Sequence, residues 1–222
     1  DDFDVVTEAT PDKVMELFKD CNVKSVGKSF GVILVEGYEV ATFRHDRYQD
    51  KKCIVSFAET IHDDLGRRDL TVNAMAFCEL TGELIDDHGG TEDLERRIIK
   101  FVGDPDKRIE EDPCRILRAC RFLAKIDGTF EYNTYKSLKR NVWKYKIAPE
   151  RIRLEILKAM KNQQASKFFR ALKSIGMLKH ILPSLDKCWK HEHGAHHEED
   201  VFDHCMYAGD AISTDDSILK LT

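Results

Sequence analysis

The hydrophobic period changes partway along this chain of 222 residues. Over the first hundred residues short apolar runs alternate with turn residues. From Asp112 onward apolar residues recur at the three-to-four spacing of a helix. Residues 1–7 read as a short strand ending at Thr7. Thr10-Pro11-Asp12 sets a capping Thr ahead of a Pro at the first helical position, and Val14, Met15, Leu17 and Phe18 follow as an apolar stripe. Val32-Ile33-Leu34-Val35 and the run from Tyr38 to Phe43 flank Glu36-Gly37, the pattern of a β-hairpin. Residues 45–53 are polar and basic and read as an exposed loop. Residues 84–90 read as a strand entering a turn, and residues 91–97 as a short helix. Further back, Asp112-Pro113 repeats the cap-and-proline start, with Ile116, Leu117, Cys120 and Leu123 on one face. Helical stretches follow over residues 132–144, 149–161 and 165–175, the last stopped by Gly176. A mixed front and an all-helical back define an α+β fold: a head with a small β-sheet and helices, then a helical extension.

The net charge of −5 conceals an asymmetry. Residues 101–190 carry 21 Lys and Arg against 10 Asp and Glu, whereas residues 1–100 carry 13 against 22 and residues 191–222 carry 1 against 8. An acidic front and a basic middle divide the tasks: metal binding in one, phosphate-backbone binding in the other. The bland alternative is a set of solvated helix faces. No apolar run reaches the roughly 18 residues a membrane span needs, and the chain opens on Asp1-Asp2-Phe3-Asp4 with no signal peptide visible. Seven cysteines, an odd number without a CxxC, read as reduced thiols in a cytoplasm.

Three clusters carry chemistry. Asp2 and Asp4 are two apart on an extended segment, so their carboxylates point to one side. Placed that way they can share one or two hard cations such as Mg²⁺ and leave coordination places for phosphates. Glu39, on a second strand, could face that pair. In Arg67-Arg68-Asp69-Leu70-Thr71-Val72-Asn73, Asp69 and Asn73 share a face if the stretch is helical, and Arg, Asp and Asn together suit a triphosphate and ribose hydroxyls. A helix-capping ion pair is the bland alternative there. In the third cluster, Glu111 to Phe122, Arg115, Arg118 and Arg121 step by three into a basic ridge, with Asp112 beside Arg115 at its start. Cytosine and adenine both offer an amine donor beside a ring-nitrogen acceptor. A carboxylate and a guanidinium complement that edge and reject guanine and uracil without a template strand. An N-cap Asp with an Arg one turn in is the bland alternative.

In order along the chain, Asp2 to Pro11, Glu39 to Arg44, Arg67 to Ala76, Asp87-His88-Gly89-Gly90 and Glu111 to Phe122 resemble the successive motifs of class II CCA-adding tRNA nucleotidyltransferases and related bacterial poly(A) polymerases. The resemblance covers residues 1–185. It implies a nucleotidyltransferase head over residues 1–103, a helical neck with the base-reading motif over 104–165 and a helical body over 166–190. It implies Asp2 and Asp4 as catalytic metal ligands, Glu39 as a third catalytic carboxylate, and a two-metal Mg²⁺ site. It also implies Arg68, Asp69 and Asn73 on ribose and phosphates, Asp112 and Arg115 on the base, and Arg118 and Arg121 in support of the nucleotide. The implied reaction adds C and A to the 3′ end of tRNA from CTP and ATP. A poly(A) polymerase, a partial CC- or A-adding enzyme and a non-catalytic RNA-binding module are the alternatives. In the family pattern a glycine turn and an Arg-Asp pair come upstream of the first carboxylates, a stretch that the sequence from Asp1 onward does not show. The stretch between Arg44 and Arg67 is shorter than the family pattern, and this loop is implicated in the switch from C to A addition. Oligomeric state is not legible.

His191, His193, His196, His197 and His204 lie among acidic residues over 191–222. Val201-Phe202-Asp203-His204 resembles the opening of an HD-type phosphohydrolase domain, with His204 as a first metal ligand. A solvated acidic linker is the reading we favour for the segment.

Overall fold

The computed structural model describes residues 4–49, 52–144, 146–190 and 200–212. Two compact units emerge, residues 1–68 with 73–88, and residues 69–72 with 89–222.

The first unit is built on a four-stranded sheet in the order β1-β4-β3-β2, formed by β1 (Asp4–Thr7), β2 (Val23–Gly27), β3 (Val32–Val35) and β4 (Tyr38–Thr42). The β3–β4 hairpin forms as its sequence predicts. Val35 pairs with Tyr38, and both turn residues take positive φ, 50° at Glu36 and 90° at Gly37. Helix α1 (Pro11–Leu17) starts where the sequence places it, with the Thr10 hydroxyl accepting from the Lys13 amide. Val14 of α1 packs with Ile33 and Val35 on one face of the sheet, while Leu17 and Phe18 of the expected stripe stay exposed.

Within the expected loop, residues 45–49 and 52–53 are strand. Strands β5 (Arg44–Gln49) and β6 (Lys52–Phe57) form an antiparallel ribbon with Arg44 opposite Phe57. A two-stranded ribbon rich in charged residues lacks the apolar alternation that marks a strand, which is why the pattern hid it. Helix α2 (Ile61–Gly66) follows, capped by Thr60, and then the β7 (Ala76–Cys78) and β8 (Glu83–Ile85) pair.

The second unit is helical: α3 (Gly90–Glu95), α4 (Pro105–Glu111), α5 (Arg115–Ile126), α6 (Tyr132–Asn141), α7 (Pro149–Met160), α8 (Ser166–Ile175), α9 (Leu178–Ile181), α10 (Pro183–Lys187) and α11 (Val201–Ala211). Its β9 (Ile98–Ile99) and β10 (Thr129–Phe130) pair in parallel. Its core joins Leu117, Leu138, Phe168, Leu172 and Phe202 with Leu70, Ile99 and Phe101. Gly176 stops α8 with a left-handed φ of 82°.

Helix begins earlier than the pattern placed it. Asp104-Pro105 starts α4 with the same cap-and-proline signature, and Asp112 is the C-cap of that helix. Arg115, with Cys114 as N-cap, opens α5. The 69–73 stretch is not an α-helix: Leu70 bridges to Phe101, and only residues 71–73 form a single 3-10 turn. The favoured linker reading fails over residues 200–212. There Asp200 caps α11, which buries Phe202 and Met206, so two apolar side chains decide the segment where its charge had pointed to solvent. His191, His193, His196 and His197 lie outside the described residues.

Candidate active site

In the first unit the carboxylates are placed by backbone register. Strands β1 and β4 run in parallel with Asp4 directly opposite Glu39, so both side chains leave the same face, a strand spacing of about 4.8 Å apart. That face is opposite the one where Ile33 and Val35 meet Val14, and both acids are exposed. Asp2 lies outside the described residues. Arg68 follows α2. Its Nε and Nη2 donate to Asp64 Oδ2 at 3.4 and 3.2 Å, and its Nη1 donates to the Asn73 carbonyl at 3.1 Å.

In the second unit each arginine of the α5 ridge has a carboxylate partner. Arg118 Nε donates to Asp69 Oδ2 at 2.5 Å, while Asp69 Oδ1 accepts from the Leu70 amide. Burial works against the Arg118 charge, but the Asp69 carboxylate prevails and raises its pKa. Arg121 Nε donates to Glu155 Oε2 at 2.6 Å, and its guanidinium lies 4.4 Å from the centre of the Phe122 ring. Arg115, almost fully buried, donates from Nη1 to Glu111 Oε2 and to the Arg108 carbonyl.

Asp112 and Arg115, expected as a base-reading pair, each hold another partner. Asp112 receives both Nη1 and Nη2 of Arg151 at 2.7 Å in a two-pronged pair, and its Oδ1 also accepts from the Cys114 amide at 3.0 Å. Burial pushes the Asp112 carboxyl up, but Arg151, the Cys114 amide and nearby Arg115 hold it below its ordinary value. A carboxylate has about four lone-pair sites. Those three donors leave Asp112 one acceptor site, which is what a base amine requires.

Residues 1–100 match the poly A polymerase head domain, and residues 130–188 match the family described as "Probable RNA and SrmB- binding site of polymerase A". The CCA-adding enzyme of Bacillus licheniformis is 39% identical over 193 residues, which is 83% of this chain and 48% of that protein. The Bacillus stearothermophilus CCA-adding enzyme in complex with CTP matches with a TM-score of 0.75 at 31% identity, over 86% of this chain and 48% of that one. The chain belongs to the family of CCA-adding enzymes and poly(A) polymerases. A further member, the Thermotoga maritima CCA-adding enzyme complexed with tRNA-CCA, matches with a TM-score of 0.67 at 27% identity over 85% of this chain. The chain spans about half the length of the CCA-adding enzymes it matches.

The family's divalent-metal chemistry fits the β1–β4 face. Asp4 and Glu39 offer oxygen donors only, adjacent and open, as a hard cation requires. Among the described residues no group of three or more His, Cys, Asp or Glu side chains is arranged for a metal, and His204 on α11 belongs to no such group. Three charged partners of the expected site residues escaped the sequence reading. Asp64 stands three and four positions before Arg67 and Arg68, so its helical spacing was a usable signal. Arg151 and Glu155 sit four apart on α7, which marks one face, yet nothing local names Asp112 and Arg121 as their partners.

Proposed function

We propose that the protein adds C and A nucleotides to the 3′ end of tRNA, drawing on CTP and ATP and releasing pyrophosphate. The observation that carries this reading is the in-register pair Asp4 and Glu39 on the open face of the sheet. In the reaction the RNA 3′-hydroxyl oxygen bonds to the α-phosphorus, and the bond from that phosphorus to the pyrophosphate oxygen breaks. Asp2, Asp4 and Glu39 would hold magnesium, which when bound lowers the hydroxyl pKa and neutralises the triphosphate. Arg68, Asp69 and Asn73 hold phosphates and ribose, with Asp69 also paired to Arg118. Asp112 and Arg115 read the base edge, Asp112 through its remaining lone pair. Arg121, fixed by Glu155 and stacked on Phe122, supports that ridge. The basic helical unit binds the RNA acceptor end through phosphate and shape contacts. Head, neck and body over residues 1–103, 104–165 and 166–190 are the division this role implies.

Among the described residues no helix is long and apolar enough to cross a membrane, and Cys21, Cys78, Cys114, Cys120, Cys188 and Cys205 are free thiols. Free thiols fit work on tRNA in a cytoplasm. The deciding experiment offers the protein a tRNA lacking its terminal CCA, and separately an oligo(A) primer, with CTP and ATP together. Three added residues on the tRNA are expected. A long A tail would make it a poly(A) polymerase, two added C residues a partial enzyme, and no extension of either primer would end the proposal.

A further inference from the structure

The buried carboxylate of Asp64 has no part in the chemistry above, yet it gathers the basic groups around that chemistry. Asp64 is 1% exposed. Its Oδ1 accepts from Arg67 Nε at 3.0 Å, Arg67 Nη2 at 2.6 Å and the Arg44 amide at 3.3 Å. Its Oδ2 accepts from Arg68 Nε and Nη2. Arg67 also reaches outward, with Nη1 3.1 Å from Asp46 Oδ2 on β5. Arg44 Nε lies 3.1 Å from Asp46 Oδ1, at ion-pair distance but off the hydrogen-bond direction. Three guanidiniums thus surround two carboxylates, and the local charge is positive.

We infer that Asp64 is a positioning residue for nucleotide binding: it aims the Arg68 guanidinium and, through Arg67 and Asp46, ties that aim to the β5–β6 ribbon. A buried carboxylate is tolerated only when its lone pairs are satisfied, and Asp64 does this by gripping one edge of Arg68. With Nη1 fixed on the Asn73 carbonyl as well, the guanidinium is held in one plane, and the side chain remains 26% exposed to meet a phosphate. The ribbon enters because Arg67 bridges Asp64 and Asp46, so a shift of β5 pulls on the carboxylate that orients Arg68. The inference rests on the reading of Arg68 as a phosphate and ribose contact.

Equilibrium CTP binding and steady-state incorporation on the whole protein test it, using Asp64→Asn, Arg68→Ala and the double variant. Asp64→Asn is expected to weaken CTP binding about tenfold and raise the nucleotide KM alike, with kcat and the KM for RNA within about twofold of wild type. The double variant should bind CTP no more weakly than Arg68→Ala alone, because both remove one contact. Losses that multiply, or unchanged CTP binding in Asp64→Asn, would overturn the inference. Should Asp64→Asn not fold, Asp46→Asn leaves the hub in place and should weaken CTP binding about threefold with the same non-additivity. Full CTP affinity in that variant would break the ribbon link. Wild-type protein that binds CTP but extends no RNA would defeat the proposed activity and leave the Asp64 result standing.

Discussion

The β1–β4 face of the first unit and the α5 ridge of the second place their charged groups by different means. In the first, Asp4 and Glu39 owe their juxtaposition to backbone hydrogen bonding between parallel strands, and the sheet beneath them rests on the small cluster of Val14, Ile33 and Val35. In the second, Arg118 and Arg121 are set by carboxylates 49 and 34 residues away in sequence, over a core that joins α5, α6, α8 and α11 with β9. Carboxylates held by register can stay open to solvent, since the ladder does not depend on their side chains. Guanidiniums held by distant partners are as well placed as the helix packing beneath them.

That contrast can be broken most sharply at Asp4. Asp4→Ala should cut nucleotide incorporation about 1000-fold, the scale of losing a group that stabilises transition-state charge. The unfolding midpoint should not move, because the residue is exposed. Denaturation followed by circular dichroism, beside the incorporation assay, checks both halves, and a large loss of stability would erase the distinction between the units.

The next largest effect is in the helical core. Phe168, fully buried, should cost about 3–5 kcal/mol when cut to Ala, whereas Ile33→Val in the head sheet should cost only about 0.5–1.5 kcal/mol. Urea unfolding of the two variants compares them directly.

A smaller change follows at Asp69. Asp69→Ala leaves Arg118 without its carboxylate and the Leu70 amide without its acceptor, at about 1–3 kcal/mol. If register alone positioned both units, this variant would unfold at the wild-type urea concentration.

The smallest expected effect is a pH dependence. The Asp112 carboxyl is pushed up by burial but held below its ordinary value by Arg151, and Asp106 is likewise held down, against burial, by Ser137, Asn141 and Arg140. A carboxyl lowered in the folded state contributes its full stability above the unfolded value of about 3.9 and loses it as pH falls through the lowered value. Stability of the helical unit should therefore decline below about pH 4, and Arg151→Ala should flatten that decline in urea titrations at successive pH values.

Much of the head was legible because its signals are local. The Thr10-Pro11 start, the Glu36-Gly37 turn and the alternation that places Asp4 on one strand face depend on neighbours within a few residues. The β5–β6 ribbon was not legible, since its charged residues are stabilised by pairs such as Asp46 with Arg67, which periodicity cannot see. The α4 start is equally local: Asp104-Pro105 carries the same signature as Thr10-Pro11.

The sequence by itself determined the order of the motifs, the change from strand to helix period and the acidic and basic division of the chain. Tertiary structure decided which arginine meets which carboxylate: Arg151 rather than Arg115 on Asp112, and Glu155 on Arg121. The physical reason is range. Backbone propensity and hydrophobic period act over one or two turns, but a buried charge must find its counterion wherever packing brings one, at any separation along the chain.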